Sequence, residues 1–307
     1  MAAEADEDNL AWEARQRNSA AIAAALAAVG IFVGTVWRAL LLSDLPRTGL
    51  LESLSRAAEP GPIGTTQSLR LATLEYYDER ATGVLLSSVL VAIGYVALGW
   101  ALTYLAVAVR ARRPEFPRVL LYVPLIAGTL QGFSTILAAL GTNVAIGDFL
   151  GGPHTVDAAA DVTASGVTVF ASLLGLPGAL GLALGLVFTA LNAMRVGLLT
   201  RFMGVLGMIT GVLQILPLGG PLPVVQCFWL LMLAVLFFGR WPGGGPPAWR
   251  TGVAEPWPSS AEIREQRARA AAERRGEPYD PPAAEPEPVA AGPSPSASAR
   301  KRKRKRR

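Results

Sequence analysis

Few side chains in this 307-residue sequence are equipped for chemistry. There is one cysteine, Cys227, and one histidine, His154. A lone cysteine has no partner for an internal disulfide and cannot build a cysteine-rich metal site. Inside an apolar run, Cys227 reads as a small buried side chain. A histidine-based metal or proton-relay site would need carboxylates, yet no Asp, Glu, Lys or Arg falls inside the long apolar blocks. The one cluster of carboxylates with a histidine in a short connection is Asp148, His154, Asp157 and Asp161. Three carboxylates with one imidazole make a weak metal set. G-x-S-x-G, H-E-x-x-H and Walker A patterns do not occur. The sequence therefore points to no catalytic, cofactor-binding or metal-binding residue, and to a non-enzyme rather than an enzyme.

A second group of candidates is polar but uncharged. Gln131, Ser134 and Thr135 fall mid-way along one apolar block, Thr189 and Asn192 near the end of another, and Gln214 and Gln226 in the last two. In lipid such groups seek partners on neighbouring helices, at about 0.6–2 kcal/mol each. Gln131, Asn192 and Gln214 are accordingly read as interhelical contacts, or else as the lining of a polar path for a small molecule. Ion-coupled transport usually needs a charge within the membrane, and these blocks carry none.

The elements that must position these residues follow from composition. Apolar residues make up 51% and charged residues 17%, and mean hydropathy is +0.38. The apolar residues fall in long uncharged blocks, which excludes an ordinary soluble globule, a disordered chain and a nucleic-acid-binding domain as the bulk of the protein. A helix needs about 20 mostly apolar residues to cross ~30 Å of hydrocarbon. Blocks at 19–37, 84–109, 119–140, 166–192, 202–218 (short) and 222–239 meet or approach that length. They lack strand-like alternation, so the fold expected is an all-α, polytopic bundle of six transmembrane helices rather than a barrel.

Arginine sets the orientation. Arg110, Arg112, Arg113 and Arg118 crowd the connection between the second and third blocks, Arg195 and Arg201 flank the next-but-one connection, and Arg240 and Arg250 follow the sixth block. The 3–4 and 5–6 connections carry no Lys or Arg. Positive loops stay inside, so a cell-membrane protein with both termini cytoplasmic is expected. Loop 38–83 is then external despite five arginines, which six acids balance. Leu50, Leu51 and Leu54 suggest a short surface helix in it, Pro60-Gly61-Pro62 a break, and residues 68–80 a second helix, together an ordinary cap over the bundle. Residues 1–18 form an acidic cytoplasmic segment with no basic leader, and the first block reads as an uncleaved anchor. Trp12, Trp37, Trp241, Trp249 and Trp257 lie near helix ends or beyond, and those nearest read as interface anchors.

Four blocks hold a G-x-x-x-G pair: Gly30/Gly34, Gly128/Gly132, Gly181/Gly185 and Gly207/Gly211. Small residues four apart let helix backbones approach closely. Gly181 and Gly185 are the candidate packing face, within the chain or between copies in a homo-oligomer. Pro124, Pro177 and Pro217 read as kinks. Leu150-Gly151-Gly152-Pro153 recurs as Leu218-Gly219-Gly220-Pro221, a shared turn chemistry at two external turns.

After a Gly/Pro linker at 242–247, Ser259 and Glu262 have capping-box spacing ahead of a charged helix at 260–275, and 277–299 has a disordered composition. The +5 net charge comes wholly from residues 251–307. The run Arg300, Lys301, Arg302, Lys303, Arg304, Lys305, Arg306 and Arg307 is a candidate contact for anionic lipid. No aromatic residue interleaves with it, so no specific nucleic acid is expected.

The stretch Phe188–Gly204, with Asn192, Arg195 and Arg201 in it, and Phe238-Gly239-Arg240-Trp241-Pro242 followed by Pro246-Pro247-Ala248-Trp249, resemble an uncharacterised group of six-helix bacterial integral membrane proteins. The resemblance covers about residues 15–260. It implies a multi-pass membrane location and transfers no catalytic residue. The function expected from the sequence is structural or partner-binding, with a small-molecule transporter or channel as the first alternative and a membrane enzyme as the second.

Overall fold

The computed structural model describes residues 2–46, 49, 55, 63–216, 223–242, 245–256 and 274. The first of two compact units, Met1–Trp257, holds the bundle; of the second, Pro258–Arg307, only Arg274 is described. The expected surface helix at Leu50–Leu54, the Pro60-Gly61-Pro62 break, the turn at Leu218–Pro221, Pro217, the charged helix at 260–275 and the Arg300–Arg307 run lie outside the described residues.

Every regular element among the described residues is helical. We label them α1 (Ala2–Leu41), α2 (Leu71–Asp78), α3 (Ala81–Arg112), α4 (Val119–Leu150), α5 (Val156–Ala164), α6 (Gly166–Arg195), α7 (Arg201–Ile215), α8 (Val224–Phe237) and α9 (Ala248–Thr251), with a 3-10 turn at Ile63–Thr65. Four stretches, Asn9–Leu41, Ala81–Arg112, Val119–Leu150 and Val156–Arg195, are long and apolar enough to cross a membrane. Helices α7 and α8 have 15 and 14 residues. At 1.5 Å per residue they measure about 22 and 21 Å, less than the ~30 Å of hydrocarbon.

The acidic N-terminal segment is not separate from the first span but continuous with it in α1. Residues 2–29 contain no glycine or proline and are rich in Ala, which favours helix, so nothing stops it at residue 18. Helix α4 likewise runs to Leu150, ten residues past the end of its apolar block, with Pro124 inside its first turns. Pro177 is also held within a continuous helix, α6. Three helices start on a hydroxyl cap: Thr155 accepts from Ala158 N–H, Ser165 from Thr168 N–H and Thr200 from Met203 N–H. Each satisfies one of the orphan donors of a first turn.

The helices pack as a ring: α1 on α3, α3 on α4, α4 on α6, α6 on α7, with α8 closing against α1 and α7. The close faces are made of small residues. On α1 the buried side chains include Ala20, Ala24, Ala27, Ala28 and Ile31, while Ile22, Leu26, Val29 and Val33 point outward. A methyl group on Gly30 would stand 2.9 Å from the Leu90 carbonyl oxygen, and one on Gly132 2.8 Å from that of Ala92. Where lipid tails are as apolar as leucine, such backbone contact rather than hydrophobic transfer is what holds helices together.

Two ends can be distinguished. The far end carries the loop that the sequence assigned as a cap. Ser68 N–H donates to the His154 carbonyl at 2.8 Å and Val156 N–H to that of Thr66 at 3.0 Å. Leu74 packs with Ile146, Phe149, Ala159 and Val162. The expected helix at 68–80 is Leu71–Asp78. The other end carries most of the arginines and is where the polar architecture is concentrated.

Candidate functional site at the arginine-rich end

The best-built polar site lies where α1, α3, α8 and α9 meet. Arg112 ends α3, and its side chain has no exposed surface; Glu13, on the N-terminal extension of α1, has a side chain 6% exposed. Arg112 Nη1 reaches Glu13 Oε1 at 2.5 Å and Nη2 reaches Oε2 at 3.0 Å. This is the two-pronged geometry that matches guanidinium to carboxylate. The remaining donors are used as well. Nε and Nη2 both donate to the Ala248 carbonyl, at 3.1 and 2.7 Å, and Nη1 also to that of Ala108. A buried charge pair tolerates desolvation only when its other donors are satisfied in this way.

Ala248 opens α9, the four-residue helix after the Gly/Pro linker. Its neighbour Trp249 stacks parallel on Tyr104, ring centroids 6.0 Å apart, and meets Phe237 edge-on at 5.8 Å. Trp12 stacks on the same tyrosine at 5.7 Å. The Arg112 and Arg17 guanidinium carbons lie 5.5 and 5.7 Å from the Trp249 ring centre, within cation–π range. Tyr104 O–H donates to the Glu13 carbonyl, Trp249 Nε1–H to that of Leu198, and Arg17 Nη2–H to that of Leu236.

The chain is fastened once more at Glu255, whose N–H donates to the Val196 carbonyl at 3.1 Å. Gly197 beside it has φ +77°, and a side chain there would run into the Glu255 carbonyl. Glycine is needed at this close approach for both reasons. Gly252, also in the left-handed region at φ +75°, ends α9. Residues 246–255 are thus tied to α1, α3, the α6–α7 connection and α8. The arrangement is a clamp of charge and aromatic stacking.

The residues singled out from sequence are dispersed. Gln131 lies on the α4–α6 contact beside Gly178, and its Oε1 is buried without a hydrogen-bond partner among the described residues. Asn192, near the end of α6, accepts from Arg113 at 3.0 Å and donates to the Phe188 carbonyl. Gln214, at the end of α7, lies against the Tyr95 hydroxyl of α3. No hydrogen bond joins any two of the three. Gly181 faces Ala127 and Gly185 faces Pro124, both on α4, so this pair serves a contact within the chain. The other three G-x-x-x-G pairs also face neighbouring helices of the same chain.

At the far end, His154 adopts φ +52° and its Nε2 lies 2.9 Å from the Leu150 carbonyl, closing its own turn. Asp148 and Asp161 line a cavity of about 410 Å³ between α4 and α5. No group of three metal-ligating side chains converges among the described residues. Cys227 is buried and unpaired in α8.

The clamp was not read from the sequence. Arg112 stood among four arginines of one connection and Trp249 among the interface tryptophans. The available signal was a tryptophan and a helix-competent Ala-Trp-Arg-Thr directly after a Gly/Pro linker. No known protein family, curated protein or solved structure matches this chain.

Proposed function

We propose that the chain is a multi-pass cell-membrane protein with both termini on the cytoplasmic side. Its six membrane helices hold a cytoplasmic arm in a fixed position for a partner; they do not move a solute or catalyse a reaction. The observation that carries this reading is the clamp, which uses a fully buried arginine and three stacked aromatic residues to fasten residues 246–255 to the bundle. Membrane residence is supported by the four long apolar helices and by exposed apolar side chains such as Leu26, Ile126, Phe170, Leu173 and Ile209. Orientation is supported by the positive-inside rule, with Arg17, Arg110, Arg113, Arg118, Arg195, Arg201, Arg240 and Arg250 gathered at one end. Beyond the clamp the tail leads to Arg300–Arg307, whose partner is the anionic inner leaflet. Kinship with the six-helix bacterial membrane proteins that residues 15–260 resemble belongs to the same proposal.

A holding role is tested in proteoliposomes. The purified chain should leave the permeability to glycerol, amino acids and small ions at the level of empty vesicles. A fluorescent protein fused after Pro256 should fold and fluoresce in cells, while alkaline phosphatase at the same place stays inactive. Saturable flux of one solute would overturn the holding role in favour of a transporter. Active phosphatase would overturn the orientation.

A further inference from the structure

We infer that the seam between α6 and α7 holds one anionic phospholipid at the arginine-rich end. Its phosphate lies on Arg195 and Arg201, and an acyl chain follows the apolar groove below them. The inference rests on the membrane reading above and adds a defined lipid site to it, separate from the Arg300–Arg307 run.

The site is a cavity of about 380 Å³ lined by Met194, Arg195, Arg201, Val205 and Pro256, within the volume range of small-molecule sites. A short connection builds it. Helix α6 ends at Arg195 and α7 begins at Arg201, so both arginines stand at the same end of two neighbouring antiparallel helices. The helices touch through small residues. A methyl on Gly204 would stand 2.6 Å from the Met194 Cβ, and one on Gly207 2.7 Å from the Ala190 Cβ. Val205, next to Gly204, is left on the outer side and is 46% exposed. Pro256 completes the lining one residue beyond Glu255, whose N–H donates to the Val196 carbonyl. Lipid and arm therefore meet at this point.

Charge and apolarity follow the order found in a phospholipid. Leu180, Leu184 and Phe188 form an exposed apolar stripe on α6, and Arg195 follows Phe188 by about two turns on the same face. Val205, Ile209 and Val212 form the matching stripe on α7, and Arg201 precedes Val205 by about one turn. Both stripes are the surface a membrane helix shows to lipid, and both end in an exposed arginine at the cavity. Among the described residues no carboxylate lines the cavity, and the Arg195 side chain makes no hydrogen bond or ion pair. Two guanidinium groups at the head of an apolar groove complement a phosphodiester at the head of its acyl chains. A zwitterionic lipid carries its own cation, which the arginines repel. Two basic residues at an anionic headgroup correspond to a preference of about 30-fold before screening.

The test maps lipid contact by photocrosslinking. The full chain is reconstituted in phosphatidylcholine vesicles doped with a probe that bears a diazirine high on one acyl chain, either phosphatidylglycerol or phosphatidylcholine. Labelled residues are then located by peptide mass spectrometry. The anionic probe should label Met194 and Val205 about 10-fold or more above the neutral probe. Arg195→Gln with Arg201→Gln should reduce that labelling to the neutral level, and lysine at both positions should keep most of it. Val205→Trp, which fills the groove, should abolish labelling of Met194 with both arginines in place. Replacing the basic residues of Arg300–Arg307 by glutamine should change nothing at the cavity. Equal labelling by the two probes, or a preference that survives the double glutamine variant or disappears with the charge of the tail, would overturn the site. Labelling of Leu173, exposed on the α6 stripe, with none at the cavity would overturn the site alone and give the cavity to the chain's own C-terminal segment or a second copy. No labelling of Leu173 by either probe would overturn the membrane reading and the site with it.

Discussion

Replacing Arg112 by methionine removes the centre of the clamp while keeping most of the apolar stem. Three losses follow. Glu13, 6% exposed, is left as a buried carboxylate without its cation. The Ala248 carbonyl loses both of its donors from Arg112, and the Trp249 ring loses one of its two cationic neighbours. Breaking a buried pair by removing one partner costs about 3–5 kcal/mol. Glu13→Gln is milder, because the guanidinium keeps the Ala248 and Ala108 carbonyls and one amide oxygen; about 2 kcal/mol is expected. The double variant leaves no buried charge, so its cost should fall below the sum of the two by about 1–3 kcal/mol. The readouts are unfolding in detergent and the rate at which trypsin cuts after Arg250. That bond lies in α9, which must open before a protease can seat it. If 3 kcal/mol of local stability is lost, cleavage should accelerate by about 100-fold, since 1.4 kcal/mol is tenfold. Strictly additive single and double variants, or an unchanged cleavage rate after Arg250, would refute the reasoning that this pair holds the arm.

Other sites give sharper single tests. Gly132→Leu drives a side chain into the Ala92 backbone and should cost about 1–3 kcal/mol, whereas Gly147→Leu, with open space around it, should leave the melting profile in detergent within error of the wild type. Tyr77→Phe removes a buried hydroxyl that has no hydrogen-bond partner among the described residues and should stabilise by up to about 1 kcal/mol. Burial holds the Tyr77 phenol above its ordinary value of 10.0, with the Arg38 charge opposing. The folded state thus keeps this proton at pH values where the unfolded chain loses it; its contribution is complete below pH 10 and declines as pH rises past that point, and Tyr77→Phe should flatten the decline. A peptide of residues 277–307 should bind anionic vesicles with an affinity that falls steeply with salt, and neutral vesicles weakly; equal binding to both would exclude charge as the cause.

The parts of the fold that depend on local chemistry were legible. Uncharged runs of adequate length mark the four long helices. The glycine pairs announced close helix approach because backbone contact in lipid depends on the absence of a side chain, which a sequence displays directly. The length of α1 was hidden, since charge suggested a boundary at residue 18 where helix propensity offers none. Helix length at the end of the bundle was hidden too. Apolarity alone makes 202–218 and 222–239 equivalent to short spans, whereas the described helices there, α7 and α8, have 15 and 14 residues. The clamp unites residues 13, 112 and 249. No local period links positions so far apart, and an arginine that ends a helix looks the same in sequence whether it faces water or a buried carboxylate.

The central claim is that the chain lies in the membrane with its arginine-rich end inside. Single cysteines at Ala160, exposed on α5, and Glu115, exposed between α3 and α4, report the two faces. With Cys227 replaced by alanine, an impermeant maleimide applied to intact cells should modify Ala160→Cys at once and Glu115→Cys only after the membrane is permeabilised. Modification of Glu115→Cys in intact cells with Ala160→Cys protected would invert the orientation, and equal modification of both before and after permeabilisation would contradict the membrane assignment itself.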